Sequence, residues 1–223
     1  MNEGIFPMNE SNHILAGLLA ALAIGAAPSF AAAPPAYVCP SGLPPGVSCA
    51  GANLAAAKAG TYAVDPSHAG VVARVSHLGY SYSIFRFGAV KGDLTWDPAR
   101  LAASRLQVTV QTASIETNVP KFAEELAGDE YLKSTAFPDA TFVSTAFRPT
   151  DASHGEVDGR FTLMGKTAPV TFKVSLVGAG AGFGKPRLGV HAATWLNPKA
   201  FGLPALFTMP IELVVDTEFE RQP

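Results

Sequence analysis

Beyond residue 60 polar and apolar residues alternate along most of the chain, and a period of two places every second side chain on one face of a strand. In Gly159–Leu176, Gly159, Phe161 and Leu163 alternate with Arg160, Thr162 and Met164. After a turn, Val170, Phe172, Val174 and Leu176 alternate with Thr171, Lys173 and Ser175. Residues 105–115 repeat the pattern, with Leu106, Val108 and Val110 set against Gln107, Thr109 and Gln111. Val71, Ala73, Val75 and His77 share a face, as do Phe85, Phe87 and Ala89 opposite Ile84, Arg86 and Gly88, with Gly88 or Gly92 marking a bend. Thr61–Val64 runs into an expected turn at Asp65–His68. Together with 139–149, 187–197 and 211–220, about eight strands follow one another without a break. That pattern predicts an all-β antiparallel barrel or sandwich.

One segment departs from this rhythm. Val119–Phe137 has Pro120 near a helix start, and Phe122, Leu126 and Leu132 spaced for one apolar side. Gly128 is expected to divide it into two short helical pieces. Such an insertion either lines a pocket mouth or simply packs on the barrel.

Composition narrows the function classes. A chain of 223 residues with 48% hydrophobic and 15% charged residues has ample material for a core. A net charge of -2 without a Lys/Arg run offers no phosphate-neutralising surface, which excludes nucleic acid as the expected partner. Ile14–Ala27 is uninterrupted apolar or small sequence, and the small residues after it suit a signal-peptidase cut near Ala31 or Ala33. Residues 1–31 therefore read as a secretory signal directing the chain to the periplasm, although Lys58 is the first Lys or Arg and the positive n-region is missing. The run is shorter than the roughly 20 residues a membrane span needs. Residues 32–60 read as an Ala/Pro/Gly-rich linker, in which Cys39 and Cys49 are expected to form one local disulfide.

Catalytic signatures are missing. No Gly-x-Ser-x-Gly, His-Glu-x-x-His or Cys-x-x-Cys occurs, and 178–186 only mimics a phosphate loop, with Ala179 and Pro186 at positions that need Gly and a hydroxyl residue. No pair of histidines has ligand spacing, so no metal site is expected; Asp65 and His68 are expected to satisfy turn backbone groups. Glu124, Glu125, Asp129 and Glu130 read as the solvated face of a helix.

Six stretches carry a family resemblance: YAVDPSHAGVVARVSHLG near the start, GDLTWDP, QTASIETN, YLKSTAFPDATFVS, GRFTLMGKTAPVTFKV and NPKAFGLP. In order and spacing, from Thr61 to about Glu220, they resemble the YceI-like family of secreted, lipocalin-like, polyisoprenoid-binding proteins. Two departures stand out: Pro198 follows Asn197 where the family commonly has Arg, and YSYSIFRFG brings extra aromatic bulk after the first HLG.

The resemblance implies a single eight-stranded lipocalin-like barrel over 61–221, with a long-chain amphiphile such as an isoprenoid quinone or polyprenyl lipid in its apolar interior. It implies non-enzymatic binding or transport, with no cofactor beyond that lipid. The expected wall is Val75, Phe85, Phe87, Val108, Val110, Phe142, Phe161, Phe172 and Trp195, with Phe122, Leu126 and Leu132 at the mouth and the polar head near His77 or Tyr80 and Tyr82. Alternation by itself fits a filled interior equally well. A solid barrel serving protein interaction or stress protection, and an enzyme using His68 or His77 as base, remain the alternatives. Transient membrane contact and a homodimer stay open.

Overall fold

The computed structural model describes residues 37–51 and 53–223; the expected signal, its cut at Ala31 or Ala33, and the start of the linker lie outside the described residues. Ten strands form the sheet: β1 (Gly60–His77), β2 (Ser81–Phe87), β3 (Val90–Trp96), β4 (Arg105–Gln111), β5 (Ile115–Glu116), β6 (Asp139–Pro149), β7 (His154–Leu163), β8 (Lys166–Gly180), β9 (Arg187–Leu196) and β10 (Ile211–Arg221). All pairings are antiparallel, and β10 pairs back onto β1 to close the sheet. β1 is long enough to pair with β3 through Gly60–Ala63 and with β2 through Val71–His77, so β2 and β3 are two halves of one ring position. β4 and β5 share another, interrupted by the 3-10 turn Thr112–Ser114. The ring therefore has eight positions: of the barrel and the sandwich that the alternation left open, it is the closed antiparallel barrel that the family resemblance implied.

Local chemistry explains the interruptions. Gly88 and Ala89, rather than Gly92, separate β2 from β3. Asp65–His68 does not end the first strand: Val64 pairs with Phe219 and Ala69 with Thr217, so four residues face one and the strand bulges and continues. Pro66 has no N–H to give a ladder, and a bulge is where a strand accommodates it. β7 and β8 join through a two-residue turn, Met164 and Gly165, both at positive φ (49° and 70°), as the twist-matched hairpin turn requires.

The segment between β5 and β6 holds one helix rather than two. α1 (Phe122–Ala127) stops at Gly128, whose N–H donates to the Glu125 carbonyl. Leu132 then returns to the helix through its N–H on the Leu126 carbonyl (3.0 Å), after which the chain reaches β6 through turns. The hydrophobic spacing was met by a hairpin-like return instead of a second helical piece. α2 (Pro198–Phe201) begins where Asn197 caps the Lys199 N–H with Pro198 in the first turn, and Gly202 ends it at φ 77°.

An ionic network spans the seam. Arg187 on β9 donates through Nη1 to Asp65 in the bulge (2.6 Å) and Glu218 (3.0 Å), and through Nη2 to Glu220 on β10 (2.7 Å). Phe183 lies against its guanidinium, 5.3 Å from the ring centroid. His68 adds a contact to Asp65 at 2.9 Å. The cluster thus ties the interrupted stretch of β1 to the strands beyond it.

Cys39–Pro223 forms one compact unit. In the part expected to be linker, Cys39 and Cys49 are disulfide-bonded, and the arm carrying them pairs with the β8–β9 connection. Ser48 N–H donates to the Gly182 carbonyl (2.9 Å), while Gly51 and Ala179 exchange both backbone bonds (3.1 and 2.9 Å). Among the described residues no helix is long and apolar enough to cross a membrane.

Arg187 first and His68 second hold the Asp65 carboxyl down from 3.8 to about 2. A depressed carboxylate stabilises the fold above its unfolded pKa, and the contribution fades as pH falls through the folded value. Thermal unfolding of wild type should therefore lose stability between about pH 4 and pH 2, whereas Asp65→Asn should start lower at neutral pH and lose less across that window. A second expectation concerns the arm. A Cβ at Gly178 would lie 2.6 Å from the Ala50 Cβ, so Gly178→Ala should lift the arm. Hydrogen exchange at Ser48 and Gly51 should rise about tenfold or more while the barrel midpoint shifts by only a few degrees.

Candidate functional site

The alternating strands point their apolar faces inward, yet the interior is not filled. Leu106, Val108, Val110, Val174, Val190 and Val215 all face inward but are only half-buried, because they border a cavity of about 340 Å³. The aromatic rings are held against the wall. Phe142 lies over Gly159, where a Cβ would collide with the ring and come 2.6 Å from the Val143 carbonyl oxygen. Phe142 in turn meets Phe172 edge-on, with centroids 5.1 Å apart. Glycine at 159 is therefore what lets a phenylalanine lie flat on the sheet instead of projecting into the space.

One end of this chamber is polar. The β6–β7 hairpin brings Arg148 at the end of β6, Ser153 in the connection, and His154 and Glu156 at the start of β7 to the lining, near Trp96, Pro98 and Leu101; Arg148 and Glu156 alternate with inward Phe147 and Val157, so their side chains lie on the outer side of the rim. Arg148 pairs with Glu156 (2.9 Å) and with Asp158 (2.6 Å). Asp151 accepts from the Ser153 and His154 backbone N–H groups (2.8 and 2.9 Å) and lies 2.9 Å from His154 Nδ1; its pKa falls to about 2, chiefly through the Ser153 N–H. Trp96 Nε1 donates to the Ala57 carbonyl (3.0 Å), which seats the end of the arm against the same rim. Charged side chains paired in this way leave a rim able to meet a polar group without an unpaired charge aimed inward.

A second chamber of about 120 Å³ lies towards α1 and α2, lined by Val75, Phe85, Phe87, Leu126, Leu132 and Phe207 among others. Thr112 is its hydroxyl neighbour, and Oγ1 already donates to the Phe137 and Pro138 carbonyls (2.9 and 3.0 Å). Val71, Val110, Ala140, Phe161 and Leu213 border both chambers.

Of the wall residues expected from the sequence, Val108, Val110, Phe142, Phe161 and Phe172 border the large chamber, and Val75, Phe85, Phe87, Leu126 and Leu132 the small one. Four others are placed elsewhere. Trp195 stands between inward Thr194 and Leu196 and is 56% exposed. Tyr82 has the opposite parity to Phe85 and Phe87, so it lies outside, under the Arg74 guanidinium at 4.8 Å. His77 shares the parity of Val75 but sits at the exposed hairpin tip beyond the barrel rim, and Tyr80 follows it into solvent. Phe122 packs behind the small chamber against Phe85, centroids 6.3 Å apart. The polar rim is thus at the opposite end from the residues expected to hold a head group. Unanticipated lining residues include Leu94, Leu188, Val190 and Phe219, which carry the same alternation, and Ala57, which carries no sequence signal.

Neither His68 nor His77 borders either chamber. Among the described residues, Asp65, His68 and Glu218 bring their ligand atoms within 4.8 Å of one another. Arg187 already donates to both carboxylates, so a cation occupies that position as part of the protein itself.

The YceI-like domain family model matches residues 62–220. A UPF0312 protein of Pseudomonas putida is 36% identical over 171 residues, covering 74% of this chain and 89% of its own. A UPF0312 protein of Shewanella is 34% identical over 171 residues, covering 72% and 88%. Among solved structures, Burkholderia cenocepacia BcnA superposes with a TM-score of 0.61 at 24% identity, covering 71% of this chain and 99% of that one. A polyisoprenoid binding domain from Saccharophagus degradans superposes with a TM-score of 0.56 at 12% identity, covering 74% and 100%. These superpositions establish a shared fold.

The open interior has an energetic signature. In a filled core Phe→Ala costs about 3–5 kcal/mol. Phe172 touches its neighbours on the wall side and empty space on the other, so Phe172→Ala in lipid-free protein should cost about 1–2 kcal/mol, as measured by urea unfolding.

Proposed function

The chain belongs to the YceI-like domain family, and we propose that its barrel is a non-enzymatic carrier of a long-chain amphiphilic lipid, such as an isoprenoid quinone or polyprenyl lipid, in the periplasm. The observation that carries this reading is the set of inward valines and leucines left half-buried around a cavity of about 340 Å³, with polar groups at one end only. Apolar walls without inward polar partners hold water poorly. A hydrocarbon chain recovers the lost contacts, each buried methylene contributing about 0.8 kcal/mol before ordering costs. The head group then lies among Arg148, Ser153, His154 and Glu156, and the chain runs inward from there. The polyisoprenoid binding domain that shares the fold supports the ligand class, and the apolar leader and the Cys39–Cys49 disulfide support export to an oxidising compartment.

Native mass spectrometry of protein purified from the periplasm, followed by lipid extraction, tests the proposal directly. A co-purifying lipid is expected, and delipidation should lower the thermal midpoint. A long-chain ubiquinone at about a hundredfold its Kd should then raise it by about 5–10 °C. A lipid-free protein whose midpoint no long-chain quinone moves would overturn the reading.

A further inference from the structure

We propose that the interior is a two-chamber ruler, in which the waist formed by Val71, Val110, Ala140, Phe161 and Leu213 makes the barrel discriminate lipids by chain length. This deepens the carrier reading and rests on it. The five residues come from β1, β4, β6, β7 and β10, and each borders both chambers. The waist is held in place by the α2 cap. Phe161 meets Phe201 of α2 edge-on at 5.3 Å, and Phe201 is only 2% exposed, so the Phe161 ring has little freedom to swing aside. Ala140 is the cross-strand neighbour of Val110 in the β4–β6 register, and its single methyl reaches less far into the lumen than any other side chain of the waist. A bulkier residue at 140 would narrow it.

The two chambers differ in what they offer a ligand. Arg148, Ser153, His154 and Glu156 border the large chamber alone, whereas the small one is closed by Leu126, Leu132, Leu203 and Phe207. A head group is therefore accommodated at one end only, and the small chamber adds purely apolar contact to whatever chain is long enough to pass the waist. β7 borders the whole path from Gly155 to Leu163. At about 3.3 Å per residue and a tilt near 40°, that path is roughly 20 Å along the axis, about the reach of four extended isoprene units. A chain of two units ends before the waist.

Ubiquinones with two and with four isoprene units are the probes. Trp96 borders the large chamber whereas Trp195 is on the outer surface, so quenching of the buried component of tryptophan fluorescence reports quinone entry. In delipidated wild type the four-unit quinone is expected to bind about tenfold or more tighter than the two-unit one. Ala140→Leu should lower the four-unit affinity about tenfold and so abolish that preference. Leu203→Phe fills the small chamber from its loop wall without touching the waist, and should abolish the preference in the same way if Ala140→Leu does not fold. Equal wild-type affinities, or an unchanged preference in a folded variant, would overturn the ruler and leave the carrier reading standing. Failure of wild type to bind either quinone would overturn the carrier reading, and the ruler with it.

Discussion

Closure of the sheet by β1 against β10 is the constraint on which the other features depend. The interior exists only because the first and last strands meet in a register that keeps Val64, Ala69, Val71 and Ala73 facing inward beside Phe219, Thr217, Val215 and Leu213. A slip of one residue would turn every one of those side chains outward. The bulge at Asp65–His68 absorbs three extra residues, so the inward positions pass from even (Tyr62, Val64) to odd (Ala69, Val71) and still face the interior, and Arg187 fastens it to β10 at the place where the ladder is interrupted. Side-chain exposure of only 14% at both Arg187 and Asp65 keeps this pair more sheltered than a surface ion pair, whose contribution is usually small.

Given a closed ring, whether its centre is filled depends on where the aromatic rings lie. Phe142 rests on Gly159, Phe161 is pinned by Phe201, and Phe172 meets the edge of Phe142. Each ring makes its main contacts along the wall or with the capping elements. Much of the stabilising apolar contact therefore runs around the barrel instead of across it, which leaves the axis free for a guest. The same arrangement connects α2 to binding, since Pro198 and Asn197 start the turn that delivers Phe201 to the waist. Proline at 198, at the first position of α2, thus has a structural task in this chain.

The strands were legible because antiparallel strands with one buried face impose a period of two, and residues such as Val108 and Phe161 fall where that period puts them. Tyr82 was misplaced at the head-group site although its outward position was legible, since it and Phe85 differ in parity. Trp195 was misplaced because aromatic character was weighed without the parity of its neighbours Thr194 and Leu196. The bulge escaped detection because Asp-Pro-Ser-His suits a turn and a bulge equally. The return after Gly128 escaped because Leu132 meets the helix through a backbone hydrogen bond, which hydrophobic spacing does not encode. Nor does alternation distinguish a hollow barrel from a filled one: that depends on the direction of three phenylalanine rings and on one missing Cβ at Gly159.

The arm bearing the disulfide is attached almost impersonally. Its bonds to the end of β8 and the connection after it come from the main chain of Ser48, Gly51, Ala179 and Gly182, beside the small residues packed at Ala50 and Gly178 and the disulfide, and Trp96 holds the end of the arm through the Ala57 carbonyl. Between the cysteines, Pro40–Gly46 contributes none of those three main-chain bonds and is largely exposed. That stretch is free to diverge, or to carry a grafted epitope, with both of its ends stapled and the interior cavity untouched. The barrel thereby has a handle whose sequence can be rewritten without renegotiating the fold.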